Sequence, residues 1–430
     1  MPQRRFPHRP QFDPVGTAPR RAALRVLDAV LRRGQALEPA LARAGEGLSP
    51  ADRGLAHAIA AEALRRLPDL DALIDGATRQ RLPDDAKARF VLRIALIQAL
   101  RLGTPHHAAI ATVLPLIDGG PRKLVHGVFG ALMRSDATLP ELPALPGSVA
   151  GRWAAAHGDA MVEAAQAAMA APPPIDLTLA DAAATDSWAE RLGGTNLAPG
   201  HVRLPAGADI AALPGFAEGA WWVQDLAASL PARLLGRGTG DALDLCAAPG
   251  GKTMQLAAAG WRTTALDIAE NRLARLRDNL ARTGLDAMIV AADALKWAPP
   301  APVDALLIDA PCSATGIFRR HPDVLYRAHP GLIAETAALQ AALLARAAEW
   351  VKPGGRLVYA VCSLEPGEGE AQLATFLAGR GDYAIDPVRP DELPAGIAPR
   401  EDGTVRTLPT MLAEAGRLDG FFIARLRRTR

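Results

Sequence analysis

The sequence predicts a multidomain chain: an all-α helical bundle followed by an α/β doubly wound sheet, with a small α/β segment bridging the two. Three observations carry that expectation. Between residues 20 and 134 apolar side chains recur at three- and four-residue spacing, the period of a helix face. From about residue 225 short apolar runs alternate with helical runs, as a parallel sheet with crossover helices requires. Proline-rich stretches, SDATLPELPALPGS and APPPID, fall between these two textures. With 430 residues, 49% of them hydrophobic, the chain can bury more than one core.

Taken in order, residues 1–17 are basic and proline-rich and lack the apolar stretch of a secretory leader, so they read as a disordered basic arm. Residues 18–140 form the helical domain. RAALRVLDAVLRRG stops at Gly34, and DRGLAHAIAAEALRRL, ARFVLRIALIQALRL and KLVHGVFGALMR repeat the pattern, for five to seven helices in all. Residues 141–224 hold a linker and a small bridging module, where IDLTLA, HVRLP and AWWV look like short strands. Residues 225–430 supply the strands ALDLC, TTALDI, AMIVAA, VDALLIDA and RLVYAVC, separated by helices, with YAIDPV and GFFIARLRR closing the sheet.

Charge is uneven along the chain. Residues 1–150 carry 21 Lys+Arg against 14 Asp+Glu, and the remainder 27 against 32. A basic front suits a polyanionic partner, because lysine and arginine release counterions from phosphates. Three cysteines are too few for a disulfide framework and point to a reducing, cytoplasmic setting. No apolar run is long enough to span a bilayer, and no membrane partner is expected.

The chemistry gathers at strand ends. The first strand of the sheet runs into DLCAAPGGKT, residues 244–253, a glycine-rich turn opening a helix. It lacks the first glycine of a phosphate-binding loop. Asp267 ends the second strand, where a carboxylate can take both hydroxyls of a ribose. Asp293 follows the third, within reach of an adenine amino group, although alone it reads as a helix cap. A turn and two acids after three successive strands fit an adenosine with a non-phosphate tail, and S-adenosylmethionine meets that better than NAD. In a doubly wound sheet strands one, four and five are neighbours, so Cys246, Cys312 and Cys362 would face one crevice beside Asp309. Cys246, inside the turn, reads as a small buried hydrophobe. Two further thiols and an acid beside a methyl donor suit methylation of carbon 5 of a pyrimidine. A thiolate added to carbon 6 makes carbon 5 nucleophilic, while a carboxyl group near N3 supports the developing charge. Spacing alone does not decide which thiol attacks.

DLCAAPGGKT, DAPCSATGIFRRHPD and LVYAVCS closely resemble the signature motifs of RNA cytosine-5 methyltransferases. PRRAALRVLDAVL, VLRIALIQALRLGTP and WWVQDLAAS are similar to the Sun/Fmu (RsmB) branch, whose front domain is NusB-like. The resemblance implies a Rossmann-like class I methyltransferase domain, S-adenosyl-L-methionine as cofactor, and a cytosine of 16S rRNA, naked or in an early small-subunit particle, as target. It implies Cys362 as nucleophile and Cys312 as the helper that releases product. Asp309 would contact the base edge and the cofactor. Cys246, Ala247, Ala248, Pro249, Gly250, Gly251, Lys252, Asp267 and Asp293 would hold the cofactor, with Lys252 also near the base. Val361 stands where the family carries threonine, and EPGEGE lacks its usual asparagine. The same chemistry on tRNA or another ribosomal cytosine, and a non-catalytic assembly factor, are the alternatives.

Arg319, Arg320 and His321, just after the DAPC motif, are candidates to hold phosphates or stack on bases around a flipped cytosine. Trp221 and Trp222 are expected in the core, and His106 and His107 have no partner at metal-ligand spacing. No metal is expected, and the chain is expected to be a monomer.

Overall fold

The computed structural model describes residues 14–430 and divides into two compact units. Residues up to Pro146, together with His321–Arg327, make one; Gly147–Arg320 and Ala328–Arg430 make the other. Residues 1–13 of the expected basic arm lie outside the described residues.

The first unit is helical: α1 (Thr17–Arg33), α2 (Leu37–Ala44), α3 (Pro50–Arg65), α4 (Leu67–Gly76), α5 (Lys87–Leu100), α6 (His106–Val113) and α7 (Gly119–Arg134). Gly34 ends α1 in the left-handed region, its N–H donating to Ala29 and Val30 carbonyls, which explains why the helical pattern stops there. The Ser49 hydroxyl accepts from the Asp52 amide and starts α3. Apolar stripes of α1, α3, α5 and α7 close one core in which Val26, Leu27, Ile59, Leu92, Ile94 and Val125 are buried.

The second unit begins with α8 (Gly147–His157) and α9 (Asp159–Met169) and then forms two sheets. In the smaller, β1 (Ile175–Leu179), β2 (Thr195–Ala198), β3 (His201–Leu204) and β4 (Trp221–Val223) lie antiparallel in the order β2-β3-β1-β4, and α10 (Thr185–Leu192) is inserted before β2. The strand β2 was not expected from its sequence, TNLA: it is short, exposed and irregular in register, so no alternation marks it. Trp221 and Trp222 are buried, as expected.

The larger sheet is doubly wound. Its first strand, β5 (Asp241–Leu245), is preceded by α11 (Leu226–Arg233) and followed by α12 (Gly251–Ala258). Then come β6 (Arg262–Asp267), α13 (Glu270–Thr283), β7 (Met288–Ala291) and β8 (Val303–Asp309). The single turn α14 (Val324–Arg327) and the long α15 (Pro330–Ala347) lead into β9 (Val351–Val361). The helix α16 (Glu370–Gly379) and β10 (Tyr383–Ile385), β11 (Val405–Thr407) and β12 (Phe421–Arg428) complete the chain. Strand order is β10-β12-β9-β8-β5-β6-β7, with β11 also paired to β12. Strands β5 to β9 are parallel, and β12 runs antiparallel against β9. The order reverses between β5 and β8, so the carboxyl ends of these two strands open the crevice where ligands of such sheets bind.

The turn α14 belongs to the helical unit although it follows the DAPC motif in sequence. The Tyr326 hydroxyl donates to the Leu64 carbonyl at 2.7 Å, and the Leu37 amide donates to Asp323 at 3.1 Å.

Leu306, fully buried at the centre of β8 between β5 and β9, reports on the stability of the sheet. Leu306→Ala should destabilise the second unit by about 2–5 kcal/mol, read as a lowered denaturation midpoint at unchanged slope.

Candidate active site

The parallel register brings three chain exits to one edge. Leu245 pairs with Ile308 and Asp309 with Ala360, so Cys246, Asp309 and Cys362 leave adjacent strands at the same height. Cys312 follows three residues after Asp309, and its Sγ lies 3.5 Å from Cys362 Sγ. The Lys252 ammonium, from the first turn of α12, donates to Asp309 Oδ2 at 2.7 Å and sits 5.5 Å above the Phe421 ring.

Close backbone passages hold these loops. Gly250 has φ +106°, and a Cβ there would come within 2.9 Å of Leu276, so only glycine lets the turn lie on α13. A Cβ on Gly316 would meet the Gly420 carbonyl at 1.9 Å. That contact lets the Gly316 amide reach the Cys362 carbonyl at 3.0 Å. From the other side α8 grips the residues after Cys362. Arg152 and the Trp153 indole donate to Glu365 at 3.1–3.2 Å, and His157 Nε2 lies 2.7 Å from the Leu364 carbonyl.

The three thiols differ electrostatically. Burial pushes the Cys246 thiol up to about 12, with Asp309 and Asp267 adding to it. The hydrogen bond to Cys362 and then burial push Cys312 well above an ordinary thiol, so Cys312 keeps its proton beside the Cys362 sulfur. Burial works to lower the Lys252 ammonium, but Asp309, Cys362 and Asp244 more than offset it and its hold on the proton rises. A cation thus stands fixed beside the Asp309 carboxylate and in the field of the Cys362 sulfur.

A second feature lies across the turn from the thiols. Asp267 and Asp293 flank a cavity of about 120 Å³ that is also lined by Cys246, Ile268, Leu295 and Pro311. Ile268 and Leu295 are exposed large apolar side chains at its mouth. Asp267 accepts the Ala248 and Ala269 amides at 3.2 and 2.9 Å, and Asp293 accepts the Leu295 amide at 2.9 Å. Two carboxylates, with Arg272 paired to Asp267 at 3.4 Å, set among apolar walls suit a nucleoside's hydroxyls and amino group. The donor set therefore fits an adenosine with a cationic or neutral tail.

Of the basic residues after the DAPC motif, Arg319 is placed differently from the phosphate contact expected of it, whereas Arg320 lines a cavity shared with Lys252 and Asp309. Arg319 is 1% exposed, and its guanidinium is engaged by Asp225, at 2.5 Å, and by Asp419. Arg320 is half-buried and donates to Asp225 at 2.8 Å, Asp419 at 3.3 Å and the Pro174 carbonyl at 3.0 Å. Burial would raise the Asp225 carboxyl, but Arg319 and Arg320 hold it below the usual carboxylate range. These arginines join the start of α11 to the loop before β12. The acids that claim them lie 94 and 100 residues away in sequence for Arg319, beyond any local pattern. His321, half-buried, opens the segment that packs with the helices.

A doubly wound sheet whose switch point carries a nucleoside-shaped cavity and a thiol pair defines a methyltransferase of the Rossmann-like kind. The comparisons agree with it. Residues 234–427 match the family described as 16S rRNA methyltransferase RsmB/F, and residues 17–130 match the NusB family. "Ribosomal RNA small subunit methyltransferase B" of Klebsiella pneumoniae is 34% identical over 95% of this chain and 97% of its own length. The protein of that name from Salmonella arizonae is 32% identical over 95% and 98%. The crystal structure of PH0851 shares the fold with a TM-score of 0.72 at 22% identity, covering 95% of this chain and 98% of that one. A methyltransferase homologue from Pyrococcus horikoshii gives 0.54 at 26% identity over 70% and 98%. The chain belongs to the RsmB/F family of 16S rRNA methyltransferases, and S-adenosylmethionine is its cofactor. Among the described residues no helix is long and apolar enough to cross a membrane.

Two predictions follow from these electrostatics. Arg319→Met leaves Asp225 and Asp419 short of a buried cation and should cost about 3–5 kcal/mol of stability. The salt dependence of RNA binding should stay as in the wild type, measured by filter binding against salt concentration. Burial also raises the Asp244 carboxyl to about 7, partly offset by the Thr253 hydroxyl, at 2.6 Å, and by the Lys252 ammonium. Between an ordinary carboxylate value and about 7 the folded state therefore binds the extra proton, and stability falls as pH rises through that window. Asp244→Asn should flatten this fall and melt higher than wild type at pH 8, as read by scanning calorimetry.

Proposed function

We propose that the protein methylates carbon 5 of a cytosine in 16S rRNA through a transient bond between Cys362 Sγ and carbon 6 of the base. The observation that carries this reading is the thiol pair, 3.5 Å apart, beside the Lys252–Asp309 ion pair at the switch point. A methyltransferase acting on an amino nitrogen needs one proton acceptor and no thiol. Two sulfurs held together beside a carboxylate and an ammonium meet the needs of an unactivated ring carbon.

In this reading the turn from Cys246 to Lys252, with Asp267, Asp293 and Asp309, holds S-adenosylmethionine. That cofactor supplies an electrophilic methyl group. Cys362 adds to carbon 6, and the pyrimidine's electrons shift towards carbon 5 and the N3 side of the ring. Asp309 meets the N3/N4 edge, with Lys252 fixing its orientation and balancing charge. Once carbon 5 carries the methyl group its proton must leave, after which the bond from carbon 6 to Cys362 breaks. Solvent takes the carbon-5 proton, the carbon 6–sulfur electron pair returns to Cys362, and Cys312, a thiol that keeps its proton in the free protein and touches Cys362, is placed to protonate that departing sulfur. The resemblance of LVYAVCS to the signature motif of RNA cytosine-5 methyltransferases is what favours Cys362 over Cys312 as the attacking sulfur. The 16S substrate is supported by the family and by relatives of that name spanning nearly the whole chain.

Wild type, Cys362→Ala and Cys312→Ala, each with 16S RNA and labelled S-adenosylmethionine, should separate on a denaturing gel. Cys312→Ala should accumulate protein bound to methylated RNA, and Cys362→Ala should give neither adduct nor product. Trapping by Cys362→Ala instead would exchange the two roles. Full turnover by Cys362→Ala would remove the covalent route altogether, and label on tRNA but not on 16S RNA would change the substrate.

A further inference from the structure

Behind the two sulfurs lies a buried carboxylate that the mechanism above does not use. Glu368, in the EPGEGE segment, is fully buried. Five neutral donors converge on it. Oε1 accepts the Ser313 amide at 2.8 Å, the Thr336 hydroxyl at 2.5 Å and the Gln340 amide at 3.3 Å. Oε2 accepts the Ser313 and Ser363 hydroxyls, both at 2.5 Å. Ser313 follows Cys312 and Ser363 follows Cys362, so one side chain grips the residue next to each thiol.

We propose that Glu368 is the positioning residue of the thiol pair: its carboxylate fixes the separation of Cys312 and Cys362 by binding Ser313 and Ser363 together. The two thiols sit on loops from different strands, β8 and β9, and their backbones need a common anchor to hold two sulfurs at contact. The geometry fits no general packing role, since a packing residue would not need acceptor atoms directed at these two serines. A glutamine cannot reproduce this set of bonds unchanged. With its nitrogen at the Oε1 place it faces the Ser313 N–H, which cannot reverse. With its nitrogen at the Oε2 place it faces two hydroxyls that now donate to it, so both would have to turn and accept, and Ser363, which also takes the Glu365 amide at 3.0 Å, would lose its present acceptor. The inference rests on the proposed roles of the two thiols for its effect on turnover, but not for its effect on their spacing.

The test uses full-length wild type, Glu368→Gln and the milder Ser363→Ala. Diamide is the probe of spacing: its azo bond takes up two protons and two electrons as the two thiols join in a disulfide. Peptide mass spectrometry separates the Cys312–Cys362 link from any involving Cys246. Glu368→Gln should slow that link by about tenfold or more and lower kcat by about tenfold to a hundredfold, the effect of misplacing reacting groups by an ångström or less. KM for RNA and the affinity for S-adenosylmethionine should stay within about threefold, which marks a loss confined to the reacting geometry. Ser363→Ala should move both readouts in the same direction by less. Wild-type rates of linking and turnover in folded Glu368→Gln would overturn the proposal. So would losses in both variants that follow a collapse of melting temperature and cofactor binding together. Because the linking assay uses neither RNA nor cofactor, it judges Glu368 even if Cys362→Ala proves active and the covalent route fails.

Discussion

The structure depends on the parallel pairing of β8 with β5 on one side and β9 on the other. A parallel sheet sends all its carboxyl ends the same way, and the register sets how far each chain has risen when it leaves. Here Leu245 stands level with Ile308, and Asp309 with Ala360. The three exits therefore open at one height, and the polar residues that follow them have no choice but to meet. A shift of one residue would turn Asp309 into the opposite layer, because side chains alternate across a strand. The buried runs VDALLID and RLVYAV, packed on both faces, make such a shift costly.

Around this edge charge is handled in two ways. Where arginines are buried, as with Arg319 between Asp225 and Asp419, charges are matched by opposite charges and tie distant segments together. Where the thiols lie, the hydrogen bonds to Glu368 come from neutral donors, while the buried Arg406 beside it is matched by Glu370 and donates to the Ser363 carbonyl. The small antiparallel sheet follows the first pattern. Asp176 in β1 binds Arg203 of β3 through both oxygens, at 2.6 and 2.7 Å, and also accepts the Leu226 amide that starts α11. Buried ion pairs are weak sources of net stability but are exacting about geometry. They suit an element that must hold a wall of the cleft at a set place.

Much of this was legible in the chain itself. The helix period up to Arg134, the strand–helix alternation after residue 225 and the polar residues closing each buried run are local signals, and each names its element. The motif turn with Gly250 is legible for the same reason, since a strand-to-helix turn that passes against another helix admits only glycine there. The strands β2 and β11 were missed because three or four residues with no alternation carry no period. Arg319 of RRHPD was expected at a phosphate because a basic loop beside a catalytic motif looks the same whether its acids are solvent-separated or buried. Nothing within ten residues of Arg319 in sequence announces Asp225 or Asp419.

By itself, then, the sequence determined the order of the elements, the sheet's doubly wound character and the types of group that gather at its edge. Those properties follow from periodicity and from what each strand end carries. Tertiary structure alone decided which groups touch: that Cys312 reaches Cys362, that Lys252 turns to Asp309, and that Glu368 lies behind both thiols. It also decided that HPDVLYR packs with the helices. Such contacts join residues tens to hundreds of positions apart. Their distances are set by strand register and by packing in the cores, which no local stretch of sequence contains.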